Sequence, residues 1–81
     1  MSNKSEWEAI LKLGALSPDL VEDYSEKLSS LNVLTFSRFD DGFKEKVLKE
    51  RIPNITADHI ICIIDNSKGI LTKILYDTII L

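Results

Sequence analysis

Pro53 constrains this chain more than any other residue. Its ring disfavours helical geometry at the residue before it, so a helix carrying Phe43, Val47 and Leu48 must end near Arg51, and Ile52 to Ile55 become a connector. Thr56 is then placed to cap a last helix bearing Ile60, Ile61, Ile63 and Ile64, followed by Leu71, Ile74 and Leu75. So many β-branched residues would also suit a strand. The spacing Ile60, Ile64, Ser67, Leu71, Ile74, Leu75 and Thr78 follows a helical face better than it follows alternation. Gly69 is expected to kink this helix or split it in two.

Upstream, the punctuation is also helical. Ser5 and Glu8 have capping-box spacing, Trp7, Ile10, Leu11 and Leu13 supply an apolar face, and Gly14 is placed to end the helix at positive φ. Ser17-Pro18-Asp19 is a second start signal, and Leu20, Val21, Tyr24, Leu28 and Leu31 recur at helical spacing behind it. Asn32 is expected to terminate that helix in the left-handed region. Val33 to Phe39 reads as a short helix capped by Thr35, because a lone strand would have no partner. Asp40-Asp41-Gly42 makes a turn and a new cap. The fold class is therefore all-α: a compact bundle of about five helices with a longer C-terminal one. A single domain covers residues 1–81, its core about 5–68, with 69–81 extending or adding to the last helix.

Composition narrows the function. The 81 residues, 44% hydrophobic and 28% charged, suffice for one core, and a net charge of -3 argues against a life spent neutralising phosphates. One cysteine cannot form an internal disulfide, which makes a cytoplasmic location the expectation. Met1 to Trp7 lacks an apolar signal core, and Asp65, Lys68, Lys73 and Asp77 interrupt the apolar C-terminal half, so no membrane span is expected.

His59 and Cys62, an i, i+3 pair, are the obvious candidates for chemistry. Zinc needs about four ligands in a structural site, and no second Cys or His is there to complete a set. Among isoleucines a thiolate is disfavoured, so Cys62 reads as a packing residue. The adjacent acidic pairs, Glu22-Asp23 and Asp40-Asp41, do not converge on one point as a dyad requires. Trp7, Tyr24, Phe36, Phe39 and Phe43 are not interleaved with cations as a base-stacking surface would be, and read as core. No enzyme activity, metal, cofactor or small-molecule substrate is expected. The apolar GILTKILYDTIIL end suits core packing or self-association better than a membrane surface, whose helices are rich in Lys and Arg.

The order of pieces from Trp7 to about Lys68 resembles a sterile alpha motif (SAM) domain. Asn54-Ile55-Thr56 stands where that family has a Gly-Ile-Thr-like connector, Asp58-His59 where it has Gly-His, and Ile63-Ile64 where it has an aliphatic pair. Trp7 and Leu11 are similar to its first helix, Tyr24 and Leu28 to its second, Phe36 and Phe39 to its third, and Val47-Leu48 to its fourth. Both usual glycines are replaced, by Asn54 and Asp58, and Pro53 alters the spacing between Leu48 and Ile55.

The resemblance implies a non-catalytic protein-interaction or adaptor domain in signalling, pairing head to tail with itself or another SAM domain. Residues sort by charge into two groups independently of the family: acidic Asp40, Asp41 and Glu45, and Lys49, Arg51, Asn54 and His59 around the start of the last helix. Patches of opposite sign make a heterologous contact that propagates rather than closes. The alternative is a small nucleic-acid-binding domain, an RNA-binding SAM or helix-turn-helix regulator, using Lys44, Lys46, Lys49 and Arg51. Glu45 and Glu50 weaken the field there, which disfavours a nucleic-acid partner.

Overall fold

Side-chain caps set where the helices begin. A computed structural model describes the backbone of residues 3–80 and the side chains of 3–70, 72, 73 and 76. Five helices occupy the described residues: α1 (Asn3–Leu13), α2 (Pro18–Lys27), α3 (Val33–Ser37), α4 (Asp41–Arg51) and α5 (Ala57–Ile80). Ser17 Oγ accepts from the Leu20 amide at 3.4 Å and Asp40 Oδ1 from Phe43 at 2.8 Å. Thr56 Oγ1 accepts from His59 at 3.2 Å, so the three caps read at α2, α4 and α5 are present.

Other boundaries differ from the sequence reading. α1 begins at Asn3, which places Ser5 inside the helix rather than at its cap. α2 ends at Lys27, and Asn32, at φ -71, caps α3 by accepting from the Thr35 amide at 3.0 Å. Thr35 is thereby a helix residue, not the cap. A carboxamide oxygen serves a free helix amide as readily as Asn tolerates left-handed geometry, and here the amide takes it.

The end of α1 is the sharpest correction. The left-handed residue is Ala15, φ 58, while Gly14 has no positive φ. Gly14 continues the stripe of Trp7, Ile10 and Leu11, and a Cβ built on it would run into Cys62 Sγ of α5. Glycine is needed there for close approach, so the turn falls on the next residue. Leu13 lies off that stripe and is 73% exposed.

Trp7, Ile10, Leu11, Val21, Tyr24, Leu28, Val33, Phe36, Leu48, Ile52, Ile60, Ile63 and Ile64 form one apolar core. Trp7 meets Phe36 edge to face at 5.1 Å and its indole N–H donates to the Leu31 carbonyl at 2.8 Å, so its one polar atom is satisfied inside. α5 runs through Gly69 as one helix, not split in two as the glycine suggested, because the backbone ladder on both sides carries one weak position. The role expected of GILTKILYDTIIL falls mostly on side chains outside the described ones. Of those described, Ile70 packs against the core and Tyr76 is 63% exposed. No helix among the described residues is long and apolar enough to cross a membrane.

Candidate functional site

His59 and Cys62 are held by different neighbours. The His59 Nδ1 and the Tyr24 hydroxyl share a hydrogen bond at 3.1 Å, with the rings edge to face at 5.7 Å, which ties the first turn of α5 to α2. Burial pushes the Tyr24 phenol above its ordinary value. Cys62 is half-buried against Gly14 and accepts from Asn66 Nδ2 at 3.5 Å. Among the described residues no three His, Cys, Asp or Glu side chains group as metal ligands.

A pair that sequence reasoning missed lies between α4 and α5. Lys44, expected on an exposed basic stretch, is 1% exposed, whereas Phe43, expected in the core, is 47% exposed. Leu48 and Ile52 fix the inward face of α4, and Lys44 shares their i, i+4, i+8 line. Its ammonium donates to Ser67 Oγ at 2.9 Å and lies 5.7 Å from the Phe36 ring centre. Burial lowers its pKa, Asp41 opposes that shift and Lys68 adds to it. Phe43 instead meets Phe39 edge to face at 4.7 Å.

Lysine beside serine is the pairing of some acyl-transfer enzymes. Here Ser67 is fully buried and donates to the Ile64 carbonyl at 2.7 Å, and neither side chain lines the two grooves beside α4 described below. With both side chains buried and hydrogen-bonded to each other, the geometry is that of a satisfied core group.

The seven charged or polar candidates fall along α4 and the start of α5. Asp40 and Asp41 are exposed at the first turn of α4, where Asp41 pairs with Lys68 at 2.8 Å. That ammonium holds the Asp41 carboxyl below its usual range. Glu45 pairs with Lys49 at 3.3 Å, joining one member of each predicted group in the middle of the helix. Arg51, half-buried at the far end, donates to Ser30 Oγ at 2.6 Å, and exposed Asn54 follows in the turn before α5. The acidic and the cationic-amide groups are therefore distinct only at the two ends of α4. Of the four cations that a nucleic-acid surface would use, Lys44 is inside, Lys49 is paired and Arg51 is turned to Ser30.

Asp41, Gly42 and Glu45 of α4 and Ile60, Ile61, Ile64 and Asp65 of α5 line an open groove of about 300 Å³. Ile61 is 59% exposed, and the three carboxylate side chains belong to exposed residues. A second depression lies on the outer face of α4, lined by Gly42, Glu45, Lys46, Lys49 and Glu50, with charges of both signs. Compared with models of known protein families, with curated proteins and with solved structures, the chain has no match.

Proposed function

We propose that this chain is a non-catalytic protein-interaction domain of the sterile alpha motif type, which associates head to tail with a like domain. The observation that carries the reading is the polarity of α4, whose first turn presents Asp40 and Asp41 and whose end presents Arg51, followed by Asn54 and His59. Eleven helical residues separate those ends by about 16 Å, far enough for two different contacts. Complementary charge would steer encounter and register, while a few buried side chains supply most of the affinity. Cys62, Lys44 and Ser67 are engaged in packing and His59 shares a hydrogen bond with Tyr24, so these four do not together form an exposed reactive group. The reading places the domain in the cytoplasm, in signalling or assembly, where a half-buried free thiol stays reduced.

Charge reversal tests it. Asp40→Asn/Asp41→Lys keeps a capping side chain at position 40, and Lys49→Glu/Arg51→Glu reverses the other end; each is expected to abolish concentration-dependent association in size-exclusion chromatography. Unchanged elution and partner capture in both would refute the two-ended contact. Titration with RNA and duplex DNA at two salt concentrations is expected to show no salt-sensitive binding.

A further inference from the structure

We infer that the groove between α4 and α5 docks a basic amphipathic helix from a protein partner. The inference rests on the interaction-domain reading. The groove shares Asp41 and Glu45 with the acidic group of that reading, but its apolar strip of Ile60, Ile61 and Ile64 and its third carboxylate, Asp65, lie on α5, outside the two ends of α4. The groove has the parts such a ligand needs. Ile60 and Ile64 form a buried floor, Ile61 rises from it 59% exposed, and the wall at Gly42 is open, since a Cβ there would meet only Asp40 Oδ1 at 3.5 Å. Asp41 and Glu45 flank this strip on α4, and Asp65 stands one turn beyond Ile61 on α5.

Charge selects the occupant. The cations that pair with Asp41 and Glu45, Lys68 and Lys49, are not among the residues lining the groove, so its interior is apolar between carboxylates. Asp65 has no ion pair among the described residues. A helix with an aliphatic anchor and Lys or Arg one turn to either side would cover Ile61 and meet the three carboxylates, the usual logic of a helix in a groove. Phosphate-bearing ligands and anionic lipid surfaces carry the wrong sign. The exposed pairs at the rim are weak enough to yield to an incoming cation.

The test uses a 14-residue amphipathic Lys/Leu helical peptide and its Glu/Leu counterpart, titrated into the isotopically labelled full chain and followed by amide NMR. Shifts are expected in residues 41–45 and 60–65 with the Lys/Leu peptide alone, and binding should weaken several-fold as salt rises. Ile61→Ala, which leaves the charge unchanged, should weaken binding about tenfold. Asp65→Asn should weaken it about two- to fivefold. Absence of binding, shifts elsewhere, equal binding of the Glu/Leu peptide, or an Ile61→Ala variant that binds as well as the parent would overturn the inference. So would a second copy seated in the groove, detected as self-association that Ile61→Asp abolishes. Head-to-tail association should survive Ile61→Ala. Association without peptide binding sinks the groove alone, and peptide binding by a chain that never associates sinks the head-to-tail reading alone.

Discussion

α5 is gripped from two sides by opposite means. Against α1 the contact is so close that Gly14 has no room for a methyl group beside Cys62, with Trp7, Ile10 and Leu11 fully buried behind it. Against α4 the contact is polar: an ammonium is held in the core by a serine hydroxyl and an aromatic ring, with no carboxylate of the described residues within ion-pair distance. Shape fixes the first seam. The second retains a group whose burial is unfavourable, beside the groove and the charges assigned to binding. The difference separates the part of the bundle that specifies the fold from the part proposed to meet a partner.

The comparison is tested most severely on the α1 side. Trp7→Ala should cost about 3–5 kcal/mol in denaturant unfolding, because it empties the core and leaves the Leu31 carbonyl without its indole donor. Gly14→Ala should cost about 1–3 kcal/mol by overpacking, and Cys62→Ala in the same chain should recover part of it. Additive losses in that double mutant would show that Gly14 and Cys62 are not the point of contact.

On the α4 side the sign reverses. Lys44→Met should raise stability by about 1–3 kcal/mol, since a similar apolar stem replaces a desolvated ammonium and Ser67 keeps its bond to Ile64, while Lys44→Ala should lower it by leaving a cavity. The gain should depend on pH. Because Lys44 titrates below the ordinary lysine value of 10.5 when folded, the unfolded state binds more protons between the two values, and the parent gains stability as pH rises through that interval. The advantage of Lys44→Met, full at neutral pH, should therefore shrink in alkali. Urea midpoints of both proteins across that range give the difference directly. The shift at Tyr24 has no contribution from Lys44, is common to both and cancels.

Ala15→Gly should add about 1 kcal/mol by relieving a left-handed alanine, the reverse of the effect at its neighbour. The smallest effect is expected for the exposed Asp41–Lys68 pair. The carboxyl, depressed when folded, contributes above its ordinary value of 3.8 and loses that contribution as pH falls through the folded value, so Asp41→Asn should lower stability slightly at neutral pH and make no difference once the pH is below the folded value.

Local chemistry was legible in the sequence and tertiary proximity was not. Ser17, Asp40 and Thr56 announce helix starts because a cap needs only its own next turn. Asn32 and Gly14 each suit two roles, and the deciding partners are the Thr35 amide in one case and Cys62 in the other. Lys44 was hidden by its charge, although its spacing from Leu48 and Ile52 was the available signal. The candidate charges could be named from sequence, but the Asp41–Lys68 pair spans 27 positions and could not be paired in advance. Nor does a run of isoleucines say that Ile61 alone among Ile60, Ile61, Ile63 and Ile64 stands in solvent.

Head-to-tail association through the ends of α4 is tested most directly by mixing. Sedimentation velocity of the parent should show species that grow with concentration, while Asp40→Asn/Asp41→Lys and Lys49→Glu/Arg51→Glu should each sediment as monomers. Mixed in equal amounts, the two variants retain one intact end apiece and should form a complex that neither forms alone. A mixture that stays monomeric, or variants that sediment like the parent, would contradict the account.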